Sequence, residues 1–524
     1  MLNAGSSLGN AVASVARPPI TGSGLADLLS CERRFANDLL GEATSRDPVN
    51  AFVEMLWREG TRHEAAIIAD LGDGVVDLRD RPMSERVAAT LSAIGSSAPL
   101  IVGARLELGD RVGMPDLLML ADGVYHAGDI KAGSPFAPNG VDPKLLYGAQ
   151  VGFYARLLAD GGWGDGSRCF LIGSDGAIVW FDVHSIMRGG GSSLSTHVDG
   201  LTEKARAIRD GSVATSPAAC AMCGLCVWKS ACKAELSARD DVTLIAGVGR
   251  SVRELISGIA TTVEGLAAIP IEASMPAVPG VGAARLARFV ERARSLSTPG
   301  AQPYATLPLG LAPRARELHL DLETDPTDGN LVYLHGIRER IREESGTQER
   351  YVHFLAVDET HERDAFAGAI EFLSADPEAL ITTYSAFERS TYRMLQRRYP
   401  DVATVEQIDE LFSMPRSIDL YFGAVLPATV WPLHSLGLKA IARFLGFEWR
   451  DDEASGAASI SWFVEYAATR DPALLERILQ YNSDDCSASM VVFDGLLTLP
   501  VRGPLEWPPP RPLPSSPSVS GGGK

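Results

Sequence analysis

Two sets of side chains in this sequence have the make-up of sites that hold divalent metal beside a phosphodiester. The first comprises His63, Asp116, Asp129, Lys131, Gln150 and Tyr154; the second comprises Asp321, Glu323, Glu388, Tyr481 and Asp485. In the first, two aspartates can converge on one metal while a lysine orients or polarises the attacking water. An imidazole from His63 would add a nitrogen ligand, which favours manganese-type metals over strict magnesium. In the second, four acids meeting at one point would repel strongly without cations, so two bound metals are the natural reading. Tyr481 would then help to place the water.

These chemistries need particular elements beneath them. Residues 99–103, 117–120 and 123–130 read as strands and 143–158 as a helix. Asp129 and Lys131, two apart at a strand end, share a face, and Asp116 approaches from the preceding hairpin. Gln150 and Tyr154, four apart, share a helix face, and His63 lies in a helix-like run. Downstream, 318–323 alternates apolar and polar residues, with further strands expected at 331–337 and 350–357 and a short one at 380–383. Helices are expected at 362–374, 387–398, 436–445 and 472–497. Asp321 and Glu323 therefore share a strand face, Tyr481 and Asp485 a helix face, and Glu388 begins a helix. Asp484 lacks the four-residue offset from Tyr481 and is expected to be a solvated neighbour.

Seven cysteines are present, four of them within Cys220-Ala-Met-Cys223-Gly-Leu-Cys226-Val-Trp-Lys-Ser-Ala-Cys232. Two-residue gaps in a large chain without a secretory leader point to metal rather than disulfides. Cys169 and Cys486 read as ordinary buried thiols.

The ordered set from Met-Pro-Asp116 to Asp129-Ile-Lys131, Gln150 and Tyr154 resembles the RecB-type PD-(D/E)XK nucleases. The likeness is closest to their iron–sulfur branch, with the CRISPR-associated exonucleases and AddB-type helicase–nucleases. It covers about 24–235 and implies cleavage by His63, Asp116, Asp129 and Lys131. It also implies a [4Fe–4S] cluster on Cys31, Cys223, Cys226 and Cys232. Cys220 keeps an alternative open, a four-thiolate zinc site through Cys220, Cys223, Cys226 and Cys232. The stretch from Asp321-Leu-Glu323 through Tyr384-Ser-Ala-Phe-Glu388, Ile418-Asp419-Leu-Tyr421 and Ser435-Leu-Gly-Leu-Lys439 to Tyr481 and Asp485 resembles the DEDD exonucleases on an RNase H-like fold. The YprB-like branch is the nearest. This likeness implies 3′-end-directed hydrolysis with Asp321, Glu323, Glu388 and Asp485 as metal ligands.

Between the two lies Val278-Pro-Gly-Val-Gly282, followed by an amphipathic run with Arg285, Arg288 and Arg292. It resembles a helix-hairpin-helix, whose glycines let backbone N–H groups approach a phosphate. Ala246-Gly-Val-Gly249 is a weaker second copy, and a tight turn that only packs the neighbouring domains is the competing reading.

The expected fold class is α/β and multidomain. The layout is a flexible tail (1–23), a RecB-like nuclease with restriction-endonuclease fold (24–235) and a helix-hairpin-helix connector (240–300). An RNase H-like exonuclease (315–502) and a disordered tail (503–524) complete it. The net charge of −18 argues against a polyanion binder held by bulk electrostatics, so nucleic acid would be held by local basic patches. With 46% hydrophobic and 22% charged residues, no membrane-spanning run and no secretory signal, a cytoplasmic globular protein is expected. The combined expectation is a Mg2+- or Mn2+-dependent exodeoxyribonuclease acting on single-stranded DNA or free ends, in repair or defence. No Gly-x-x-x-x-Gly-Lys-[Ser/Thr] is present, so a separate helicase would open strands. Two alternatives stand beside it: a nucleic-acid-binding scaffold with one or both sites inactive, and an RNA exonuclease.

Overall fold

The dipeptide Asp122-Gly123, both residues at positive φ, folds the chain back between the strands Leu117–Ala121 and Val124–Ile130. A two-residue turn of this kind matches the twist of the paired strands, and glycine meets its backbone requirement without strain. The hairpin forms the middle of a six-stranded sheet. Its order is Val75–Asp77, Leu100–Val102, Leu117–Ala121, Val124–Ile130, Arg168–Ile172, Ile178–Asp182. Val124–Ile130 runs parallel to Arg168–Ile172, a pairing that requires a crossover, and the helix Leu145–Asp160 supplies it. That helix buries Val151, Phe153, Tyr154, Leu157 and Leu158, locking Gln150 and Tyr154 into place above the sheet. Gly128 sits against Phe170 so closely that a Cβ there would lie 2.0 Å from the ring. Any side chain would push apart the strand that carries Asp129.

The second sheet has five strands in the order Gly346–Leu355, Leu331–Glu343, Arg316–Asp325, Leu380–Thr383, Ser417–Asp419. The first three are antiparallel and the last two join in parallel. Alternation along Arg316–Asp325 decides what each face holds. Leu318, Leu320 and Leu322 enter one core with Phe366, Ile370 and Tyr392, from helices Glu359–Ser374 and Phe387–Arg398. His319, Asp321 and Glu323 point to the opposite face, where the helix Pro472–Leu497 lies. Asp471 caps that helix through its side chain and Pro472 occupies its first position, so it starts sharply.

The expected strand at 380–383 and helix at 472–497 are found at those bounds. The helices Val405–Leu411 and Gly456–Thr469 and the strand Ser417–Asp419 were not anticipated. They are short or irregular in pattern, and packing rather than periodicity fixes them.

The structure, a computed structural model, describes residues 17–507 except 73, 138, 189–190, 272–274, 327–328 and 454. The expected tails therefore fall outside the described residues over 1–16 and 508–524. The chain forms two compact units. One holds 17–48, 56–217 and 226–228; the other holds 49–55, 218–225 and 229–507. Within the second, the helices Arg250–Ile256, Val263–Ala267 and Ala283–Ser297 share a small core of Val252, Ile256, Leu266, Leu286 and Phe289. Gly280, at φ +81°, makes the turn that bridges Val278 to Val281. Among the described residues no helix is long and apolar enough to cross a membrane.

Candidate active sites

Asp321, Glu323 and Asp485 offer carboxylate oxygens that all lie within 4.8 Å of one another. The strand Arg316–Asp325 brings the first two, and the helix Pro472–Leu497 brings the third. A register shift just after Glu323 interrupts the regular ladder at the site, and pairing resumes at Thr324 opposite Val332. Each acid has its own support. Asn482 Nδ2 donates to Asp321 (2.7 Å) and is itself held by the Tyr351 hydroxyl, which donates to its Oδ1 (2.7 Å). Gly336 pairs opposite Asp321, and a Cβ there would lie 1.5 Å from Asn482 Oδ1. The Tyr333 hydroxyl donates to Glu323 (3.3 Å), and Trp449 Nε1 donates to Asp485 (2.6 Å).

Burial and mutual repulsion dominate the electrostatics. Burial, then the Asp485 charge, pushes Glu323 up to about 8. Burial, then Asp485, Glu323 and Glu388, raises Asp321 well above the carboxylate range. Asp485 is raised by burial, although Lys439 opposes the shift. Carboxyls crowded out of water in this way gain most from a cation, so the donor set fits divalent metal.

Glu388, in the first turn of Phe387–Arg398, is buried and raised to about 8 by burial, with Asp419 adding repulsion. Its charge reaches Asp321, but it stands outside the group of three. Tyr481 lies one turn before Asp485, with its hydroxyl accepting from Lys439 Nζ (3.1 Å). Lys439 also lies 4.6 Å from the centre of the Tyr481 ring, and its charge acts on Asp485, Glu323 and Asp321. Sequence reasoning noted Lys439 only as a motif companion and gave it no role. Its signal was its place in Ser435-Leu-Gly-Leu-Lys439.

Asp484 departs from expectation. It is buried, accepts from Arg450 Nε (2.8 Å) and from the Arg450 backbone N–H (3.0 Å), and is not solvated. The loop after Phe447 folds over that side of the helix, an arrangement no local offset reveals.

In the first unit, the register of Leu117 against Gly128 brings Asp116 beside Asp129. The two carboxyls share a hydrogen bond, and the Ile130 N–H donates to Asp116 (2.8 Å). Burial, then the Asp129 charge, pushes Asp116 up to about 8. Asp129, 1% exposed, is raised by burial and partly relieved by Lys131, its ion-pair partner. Lys131 Nζ donates to Gln150 (3.0 Å), and Gln150 Nε2 donates to the Tyr154 hydroxyl (3.1 Å) and reaches Asp129 at 3.5 Å. Asp116, Asp129, Lys131, Gln150 and Tyr154 are thus brought together.

His63 is not gathered into a three-ligand group with the aspartates. Its Nε2 lies 3.2 Å from the Gly173 carbonyl oxygen, to which it donates. The helix Ala51–Ala69 instead presents the next residue, Glu64, whose charge acts on both Asp116 and Asp129. Glu64 carried no separate signal beyond adjacency to His63.

Among the described residues no cysteine is joined in a disulfide. In the first unit, Cys31 joins two short helices, and the Cys226 thiol is raised by burial and feels Cys31. In the second unit, Cys220 and Cys223 have Sγ atoms 3.6 Å apart.

Of the connector arginines, Arg292 does not offer an open charge. It is 2% exposed and donates to the carbonyls of Ala246 (2.9 Å) and Leu426 (2.9 Å).

No curated protein matches this chain. Residues 318–497 match the model of the RNase_H superfamily, the span that holds Asp321, Glu323, Glu388, Lys439, Tyr481 and Asp485. The buried acid group therefore belongs to an RNase H-like domain, which implies nuclease-type hydrolysis and a nucleic-acid substrate.

Proposed function

We propose that this chain is a metal-dependent exodeoxyribonuclease that removes nucleotides from 3′ ends at Asp321, Glu323, Glu388 and Asp485. The observation that carries the proposal is the close approach of three carboxylates, two buried and one half-buried, in a nuclease-type domain. Bound Mg2+ or Mn2+ would neutralise these acids, polarise the phosphoryl oxygens and acidify a water. The protein's own part is positional. Tyr481, kept protonated by burial and the Asp485 charge and braced by Lys439, orients the attacking water. The water oxygen bonds to phosphorus as the bond from phosphorus to the chain's 3′ oxygen breaks. Asn482, Trp449 and Tyr333 hold the carboxylates still, so little reorganisation is needed at the moment of reaction.

The reading extends to a second, RecB-like nuclease site in the first unit, over 24–235, acting on single-stranded ends. Asp116 and Asp129 would hold metal there, Lys131 would orient the water, and Gln150 and Tyr154 would fix Lys131 and contact the strand. The ion pair and hydrogen bonds among these side chains support it. His63 would add its imidazole to the metal, and Glu64, whose charge acts on both aspartates, is a further acid that could join them. Cleavage of end-labelled DNA and RNA should separate the two sites. Asp321→Ala is expected to abolish the 3′-end products and Asp129→Ala a different set. Identical losses from both, or intact strands with the unsubstituted protein, would end the two-site proposal.

For the cysteines, a [4Fe–4S] cluster on Cys31, Cys223, Cys226 and Cys232 is the proposal drawn from their order. The 3.6 Å approach of Cys220 to Cys223 fits the zinc alternative that includes Cys220, since ligands about 2.3 Å from one tetrahedral ion lie near this spacing, while the Cys31 charge felt by Cys226 fits the cluster set. Iron, sulfide and zinc analysis of protein purified without air decides between them.

A further inference from the structure

The second unit contains a cavity of about 370 Å3 lined by Arg285, Arg288, Arg292, Tyr421 and Phe422, among others. That volume is within the range of small-ligand pockets, about 300–1,000 Å3. Its cationic wall is unusual in so acidic a chain. Many arginines elsewhere are tied to carboxylates, as Arg206 is to Asp110, Arg340 to Glu317 and Arg477 to Asp451, and others, such as Arg294, are spent on backbone carbonyls. Among the described residues, Arg285, Arg288 and Arg292 have no such partner within ion-pair distance. Buried Glu291 acts on Arg288 and Arg292 only from farther away. Arg292 is wholly buried, and its Nε has no hydrogen-bond partner. Its other two nitrogens tie the Ala246 and Leu426 carbonyls together, so it braces the walls. Arg285 and half-buried Arg288 remain for a ligand.

The opposite wall is aromatic. Phe422 is 55% exposed, an uncompensated apolar surface, and packs edge-to-face on Tyr421 with ring centres 4.9 Å apart. This wall is joined to the acid site. The backbone N–H groups of Tyr421 and Phe422 donate to Asp419 (2.9 and 3.0 Å), whose charge acts on Glu388. Tyr421 also packs against Tyr384, four residues before Glu388.

Resting on the nuclease reading above, we propose that this cavity binds one nucleotide of a single strand leading to the acid site. Arg285 and Arg288 grip its phosphate, and its base stacks on Phe422 and Tyr421. Guanidinium groups match phosphate oxygens in geometry, and stacking tolerates any base, so the site would hold the strand without reading its sequence.

The test measures anisotropy of labelled oligo(dT) and oligo(U) on the full chain carrying Asp129→Ala and Asp321→Ala, so that the strand survives. Adding Arg285→Glu with Arg288→Glu should weaken binding at least tenfold. It should also make the dependence of log K on log salt shallower by about 0.7 for each phosphate no longer neutralised. Phe422→Ala should weaken binding several-fold with the salt slope unchanged. In the otherwise unsubstituted enzyme, neither change should alter hydrolysis of the p-nitrophenyl ester of thymidine 5′-monophosphate, which is too short to reach the cavity. Unchanged binding and slope, no binding by the parent protein, or equal loss on the small ester would overturn the proposal. Absence of hydrolysis by the unsubstituted protein would instead count against the nuclease reading, with the cavity still judged on the binding data.

Discussion

In the first unit, Lys131 forms an ion pair with Asp129, two residues before it, and Asp116 joins them from the neighbouring strand. In the second, Asp321, Glu323 and Asp485 crowd together, with Glu388 close enough to be felt, and Lys439 approaches from another helix, one positive charge acting on Asp485, Glu323 and Asp321 together. Burial weakens the Lys131 charge less than Asp129 holds it, and the net result is a lysine more firmly protonated than usual. Lys439 is shifted the other way, because burial outweighs the attraction of the acids. The first cluster thus carries a positive charge of its own at the reacting position, whereas the second leaves most of its negative charge to be met from solution. Two arrangements of the same residue types should therefore differ in how much they depend on a lysine and how much on metal.

The largest effect should come from exchanging those lysines. Lys131→Ala is expected to lower the products of the first site by about 10³-fold, since it removes a charge aimed at the phosphate. Lys439→Ala should cost the 3′-end products only about 10-fold to 100-fold, through a less fixed Tyr481. Rate measurements on the two labelled ends make the comparison, and equal losses would break it.

Stability without metal comes next. Glu323 and Glu388 rise from 4.5 to about 8, and Asp116 from 3.8 to about 8. Each binds its proton more tightly folded than unfolded. The stability they contribute is complete below about pH 4 and is lost as pH rises towards 8. Thermal melts in a chelator should fall over that window. Saturating Mg2+ or Mn2+ should flatten the fall and add about 2.7 kcal/mol at one hundred times the dissociation constant. Glu323→Gln should raise the chelator melt near pH 8 while shrinking the metal-dependent gain. A melt that ignores metal would contradict the reading of this group as a cation site.

The smallest effects separate the two sheets. Gly336→Ala drives a Cβ into Asn482, and Gly128→Ala drives one into Phe170. Each should destabilise by about 1–3 kcal/mol, the usual range for overpacking. Gly336→Ala should also slow 3′-end hydrolysis, because Asn482 holds Asp321. Denaturant unfolding and rates on each variant test whether the two defects stay confined to their own sites.

How far these clusters could be read beforehand depended on whether one element or two supplied the residues. Asp321 with Glu323, Tyr481 with Asp485, and Gln150 with Tyr154 follow from periods of two and four, which hold wherever the backbone is regular. Glu64 could not be told from His63, since adjacent positions on a helix point about 100° apart and only packing chooses which one faces the acids. Asp484 looked idle because the arginine that binds it comes from a loop thirty-four residues away. The arginine cavity was half legible. Its basic run stood out and Tyr421 did so only as a motif companion, but Phe422, from the same separate segment, did not.

The sequence by itself determined the acid pairs, the strand and helix that carry them, and the cysteine spacing. These depend on local backbone geometry and on which residue types tolerate burial. Only the tertiary structure decided that Asp485 closes on Asp321 and Glu323 while Glu388 stands apart, and that Lys439 stands over them. Such distances are set by how a long helix packs on a sheet, and the energy of that packing is spread over many side chains, none of which announces it alone.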